Sequence, residues 1–109
     1  MKTRDELHQE LRQQILSLWG VTERQNTGIH EDAFFVGRTM FMHIHGYGCC
    51  DIRLAKSDQA RVLAERKACR HLWTPEEGYV TFVARGENDL AAAMDLIRLS
   101  HAHFASKRH

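Results

Sequence analysis

From Met42 to Ile52 the chain reads Met42-His43-Ile44-His45-Gly46-Tyr47-Gly48-Cys49-Cys50-Asp51-Ile52, a short stretch that gathers imidazoles, thiols and a carboxylate. Side chains alternate along a strand, so His43 and His45 share one face about 7 Å apart. With Gly46-Tyr47-Gly48 as a three-residue hairpin loop, His45 stands opposite Cys49, His43 opposite Asp51 and Phe41 opposite Arg53. A carboxylate facing an imidazole holds one tautomer and favours the charged ring, which suits a general base near neutral pH. His43 and Asp51 are therefore the candidate catalytic pair. His45, Phe41, Arg53, His71 and Tyr79 are the candidate ligand-binding residues, with Arg53 suited to an anionic or enolic oxygen.

The same side chains open two further chemistries. His43 and His45, with His71 or with Asp51, form a half-site for a divalent metal such as zinc, which Cys49 would complete if it converged with His45. The leading expectation is a site with no metal and no other cofactor. Cys49 beside His45 is a nucleophile candidate, because a nearby imidazole lowers a thiol pKa, although no oxyanion-hole element is recognisable. No Gly-rich phosphate loop, paired catalytic carboxylates or Ser-His-Asp order stands out.

These residues need a scaffold. The other face of the hairpin pairs Ile44 with Cys50, Met42 with Ile52 and Met40 with Leu54, so a slip of one residue would bury the histidines and expose the aliphatics. Thr3 and Glu6 form a capping box, and Leu7, Leu11, Ile15 and Leu18 recur on one face of a helix predicted over about 4–19, with Gly20 as its stop. The polar segment Val21 to Asp32, which holds Gly28, reads as a loop. Strand signals begin at Ala33, and Phe34-Phe35-Val36, a Gly37-Arg38 turn and Thr39 to His45 make a first hairpin that Cys49 to Leu54 extends.

Ser57 is the expected N-cap of a short helix reaching about Arg66 and burying Val62 and Leu63. Strands over Cys69–Trp73 and Tyr79–Ala84 should flank the Thr74–Gly78 turn, and Asn88 should cap a last helix with Leu90, Met94, Ile97, His101 and Phe104 in one stripe. This order, α-β-β-β-α-β-β-α, predicts an α+β two-layer sandwich whose mainly antiparallel sheet of about five strands carries its helices on one face. The uncovered face would hold the chemical residues, joined by Thr81 and Val83. Such a surface is a ligand cleft or a homodimer contact. His8, His30, His103 and His109 read as solvated residues, His101 as a satisfied core histidine, Tyr47 as exposed, Cys50 and Cys69 as small buried residues, and Trp73 as sheet packing.

The bulk composition limits the partners. A chain of 109 residues with 43% hydrophobic and 27% charged residues is one globular domain, 1–109, with no linker composition. Fifteen basic against fourteen acidic residues give no field that collects phosphate backbones, so nucleic acid is disfavoured. The charged start, with no apolar run after it, predicts neither signal nor anchor, and no stretch nears the roughly 20 apolar residues of a membrane span. Three cysteines, two of them adjacent on a strand, point to a reducing, cytoplasmic setting.

The set Phe35-Val36-Gly37-Arg38, His43-Ile44-His45-Gly46, Asp51-Ile52, His71, Gly78-Tyr79-Val80-Thr81-Phe82 and Leu96-Ile97-Arg98-Leu99-Ser100 resembles the luciferase-domain family over about 34–104. That family joins short bacterial proteins of unknown function to the luciferases of luminous fungi. Met42 stands where typical members carry Gly, and Tyr79 where they carry Trp. The resemblance implies binding of a small organic molecule, and cofactor-free oxygen or acid–base chemistry of the kind the longer fungal enzymes perform on a hydroxylated pyrone. The alternatives are a non-enzymatic homodimeric interaction module and a divalent-metal-binding protein. A looser similarity in element order links the chain to MmcQ/YjbR-like proteins, sometimes proposed to bind DNA.

Overall fold

Thr3 begins the first helix as its chemistry requires: its hydroxyl accepts from the Glu6 amide at 3.1 Å, and the Glu6 carboxylate accepts from the Thr3 amide at 2.9 Å. This helix, α1 (Arg4–Leu16), buries Leu11 and Ile15 and stops short of the expected Trp19 end. The computed structural model describes residues 2–71 and 75–106. The expectations for Trp73, His109 and the far end of the 69–73 strand lie outside the described residues.

After α1 come β1 (Val21–Asn26), β2 (Glu31–Val36), β3 (Thr39–His45), β4 (Cys49–Arg53), α2 (Lys56–Ala64), β5 (Cys69–Arg70), β6 (Tyr79–Val83) and α3 (Leu90–Ala105). The strands form one sheet in the order β1-β2-β3-β4-β6-β5, antiparallel throughout. The α+β class is as the sequence predicts, with six strands rather than about five. The addition is β1, which the sequence suggests is a loop. An edge strand needs a backbone partner more than apolar side chains, and β1 pairs from Val21↔Val36 to Asn26↔Glu31. Arg12 of α1 grips its Glu23 with two hydrogen bonds of 2.6 and 2.5 Å.

Two caps also differ from expectation. α2 starts after Ala55 with no side-chain cap in place of the Ser57 cap. A short 3-10 turn, Glu87–Asp89, leads into α3, and the carboxylate there that binds backbone is that of Asp89, not the Asn88 side chain: it accepts from the Arg85 and Gly86 amides at 2.7 and 3.3 Å.

One face of the sheet carries Met42, Ile44, Cys50, Ile52 and Val80 into a core closed by Leu11 and Ile15 of α1, Val62 of α2 and Met94 and Ile97 of α3. The period-2 pattern breaks once. The β2–β3 register passes from Phe34↔Met42 to Phe35↔Met40, leaving Phe41 as a bulged extra residue. Phe41 therefore does not face outward opposite Arg53 as expected. It is fully buried in the core, its ring edge-on to His101 at 5.8 Å. Met40, expected opposite Leu54 on the apolar face, instead lines a surface cleft beside His43. No helix among the described residues is long and apolar enough to cross a membrane.

The bulge takes the Phe41 carbonyl out of the regular ladder, and the fully buried Ser100 of α3 donates to it at 3.2 Å. The same hydroxyl is in still closer contact with the Arg53 carbonyl, so one proton serves β3 and β4 together. Ser100→Ala should cost about 1–3 kcal/mol, the penalty for leaving buried acceptors without a donor. The urea unfolding midpoint measures this; a change within a few tenths of a kcal/mol would mean both carbonyls have other partners.

Candidate active site

The β3–β4 register is His45↔Cys49, His43↔Asp51, Ile44↔Cys50 and Met42↔Ile52, as the hairpin pattern predicts. The connecting loop depends on glycine at its end. Gly48 has φ +80°, and a Cβ there would stand 2.3 Å from the Ala84 carbonyl oxygen, which passes close by at the end of β6. The register lays side chains in rows across the outer face. Ala33, His43, Asp51, Thr81 and Cys69 form one row, and Glu31, His45, Cys49 and Val83 the next.

Asp51 is the centre of this arrangement. Its Oδ1 accepts from the Thr81 hydroxyl at 2.7 Å. Around Oδ2 gather the Nε2 atoms of His43 at 2.9 Å, His45 at 3.1 Å and His71 at 3.6 Å. His71 lies one residue past β5, yet the chain folds back so that it joins the other two histidines. The Asp51 side chain is 6% exposed, His71 8%, His43 14% and His45 44%, so the carboxylate is roofed by imidazoles, with His45 at the solvent edge.

Burial pushes the Asp51 carboxyl up, but hydrogen bonds from His43 and Thr81, aided by the positive potential of His43 and His71, outweigh it and hold the group below its ordinary 3.8. An ionised carboxylate only accepts, so the 2.9 Å contact sets a proton-bearing Nε2 of His43 toward Asp51 and turns Nδ1 away from it. That Nδ1 is buried and has no hydrogen-bond partner.

Tyr79 packs beside the cluster, its ring 5.7 Å from that of His43 and 5.5 Å from that of His71, with its hydroxyl pKa raised by burial. Arg53 donates to the Glu77 carbonyl at 3.0 Å and lies 5.0 Å over the Phe104 ring. His43, Tyr79 and Arg53 line a cleft of about 480 Å³ together with Arg38, Thr39, Met40 and Glu77. Of the expected ligand-binding residues, His45, His71, Tyr79 and Arg53 thus surround the His43–Asp51 pair, and Phe41 does not.

The thiols do not support a nucleophile. Burial and the Asp51 charge raise the Cys49 pKa, and burial pushes Cys50 up to about 12, so both stay protonated near neutral pH. The imidazole expected to activate Cys49 is turned to Asp51 instead. Cys69, expected to be buried, is exposed on the short edge strand β5.

Among the remaining histidines, His8 is not solvated: its Nε2 lies 2.9 Å from Asp32, and its ring meets Tyr47 edge-on at 5.7 Å. His30 is exposed, His103 stacks edge-on against Phe104 at 4.8 Å, and His101 is satisfied by the Trp19 carbonyl at 2.7 Å. Two contributors escaped sequence reasoning. The sequence puts Thr81 on the face but gives it no role, and Glu31, 3.5 Å from His45 Nδ1, falls in the polar segment that reads as a loop. Starting the strand at Glu31 would have set it opposite His45.

A carboxyl whose folded pKa is depressed stabilises the fold above its unfolded value, and that contribution disappears as the pH falls through the folded one. Chelator-treated protein should therefore lose stability below pH 3.8 more steeply than its Asp51→Asn variant. Urea unfolding at a series of pH values tests this, and parallel curves would mean that no such linkage exists.

A family model for the Luciferase domain matches residues 38–100, from the Gly37-Arg38 turn through Ser100, and so includes the hairpin, His71 and the buried serine. No curated protein and no solved structure matches the chain. The match covers more than half of the chain and agrees with the motif set read from the sequence, so the chain belongs to the luciferase-domain family.

Proposed function

We propose that the protein binds a small organic molecule over the imidazole-rich outer face of its sheet and moves a proton on it, with His43 as base and Asp51 as the group that orients it. The observation that carries this reading is the 2.9 Å contact of His43 Nε2 with the buried, ionised Asp51 carboxylate. Asp51 engages Nε2, which leaves Nδ1 to act as the base; that nitrogen is buried with no hydrogen-bond partner, and a small turn of the ring brings it to the cleft that His43 lines with Arg53 and Tyr79. A buried carboxylate that stays ionised stabilises the imidazolium formed when the base takes a proton.

The cleft has a polarity suited to an enolisable carbonyl compound or a phenol. Arg53 and Arg38 offer positive charge to an oxyanion, while Met40 and Tyr79 offer apolar contact to a planar body. Deprotonation gives an enolate from the carbonyl compound or a phenolate from the phenol, electron-rich species that react with molecular oxygen without a metal or flavin. Membership of the luciferase-domain family supports this direction.

The reading is tested by screening enolisable carbonyl compounds and phenols by NMR against chelator-treated protein, then repeating with His43→Ala. Hits are expected to perturb His43, His45 and Tyr79, and solvent-deuterium exchange at the acidic carbon of a bound hit should fall by about 100-fold or more in the variant, the scale of a general base. Hits that map elsewhere, or exchange unaffected by the substitution, would end it.

A further inference from the structure

We propose that the same cluster is a divalent-cation site of the zinc class, with His43 Nε2, His71 Nε2 and Asp51 Oδ2 as protein ligands, and that ion and base exclude one another at His43. The proposal rests on the reading that this cluster is the working site, and adds what controls it.

One ligand atom from each of His43, Asp51 and His71 lies within 4.8 Å of the other two. Asp51 Oδ2 is 2.9 Å from His43 and 3.6 Å from His71. Tetrahedral zinc with bonds of about 2.0–2.2 Å sets neighbouring ligand atoms about 3.3–3.6 Å apart, a little wider than the His43 contact and close to that of His71. Accepting an ion thus requires small rotations of side chains that are already desolvated. Imidazole with carboxylate selects zinc, cobalt or nickel over calcium and magnesium, which take oxygen ligands.

A competing set, Glu31, His43 and His45, also lies within 4.8 Å. It shares His43, so the two sets compete for that ligand. Glu31 and His45 are 25% and 44% exposed against 6% and 8% for Asp51 and His71, so their ordering on binding costs more. His43 and His45 lie within hydrogen-bond distance of Asp51 Oδ2 and His71 stands just beyond it at 3.6 Å, so a cation shared by Asp51, His43 and His71 draws the third imidazole in.

Ligation has a price in the tautomer. A ring that gives Nε2 to a metal carries its proton on Nδ1, and His43 Nδ1 has no acceptor behind it. The missing support weakens affinity by about 10–100-fold, so the ion exchanges instead of being locked into the fold. The relocated proton also occupies the nitrogen proposed as the base.

Protein made without a histidine tag and stripped with chelator is titrated with Zn²⁺ or Co²⁺ alone. One ion per chain is expected, with the visible absorption of four-coordinate cobalt. His71→Ala should weaken binding by about 100-fold or more, since a direct ligand matters at least as much as its support, while His45→Ala should stay within a few-fold. Imidazole ¹⁵N shifts of the parent give a measurement that needs no variant: His43 should change from the Nε2–H to the Nδ1–H tautomer on adding zinc. Absence of uptake, an unchanged His43 tautomer, or a larger loss in His45→Ala than in His71→Ala would overturn the assignment. No organic compound is present in this assay, so its failure and the failure of the small-molecule reading are separate results.

Discussion

The buried charge of Asp51 is the constraint around which the outer face is organised. An ionised carboxylate withdrawn from water costs several kcal/mol unless its lone pairs are met. The sheet meets them from both sides: β3 supplies His43 and His45, and β6 supplies Thr81. Only a strand order that puts β4 between β3 and β6 brings hydroxyl and imidazoles to the two oxygens of one carboxylate. The chain enters β6 after β5, and that detour delivers His71 from beyond the edge of the sheet.

The bulge at Phe41 does comparable work at the other end of the face. With strict alternation, a phenyl ring would stand outward next to His43. Inserting one residue sends that ring into the core and leaves the thinner Met40 on the surface, which opens the cleft beside His43. The cost is a carbonyl outside the ladder, met by the buried hydroxyl of Ser100. That serine closes the family match at residue 100, so α3 contributes a polar bridge as well as an apolar stripe.

What could be read from sequence followed how local the deciding forces are. The β3–β4 register was legible, because two glycines fix the loop and the apolar face allows one alignment. The side shared by His43, His45 and Asp51 came with it. β1 was not legible, since an edge strand held by backbone pairing and an Arg12–Glu23 grip leaves no apolar period in Val21–Asn26. The bulge was hidden for a related reason: Met40, Phe41 and Met42 are all apolar, so nothing in their types says which of them is the extra residue. His71 was named as a candidate, but whether it reached the cluster depended on strand order, a property of the whole sheet.

The molecule holds a second imidazole–carboxylate pair of the same length, and the contrast separates structure from chemistry. His8 and Asp32 also meet at 2.9 Å, with similar burial, but on the helix-covered face. There Asp32 has one imidazole, with Arg12 3.9 Å away, and the contacts tie α1 to β2. Arg12 gives two hydrogen bonds to Glu23, so Asp32 is served chiefly by one imidazole. Both pairs border clefts and both histidines have a buried Nδ1 with no hydrogen-bond partner, so the difference lies in the cluster: Asp51 gathers three imidazoles and a hydroxyl around its two oxygens. That concentration of titratable side chains around one buried charge is why the proposed chemistry is placed at Asp51 rather than at Asp32.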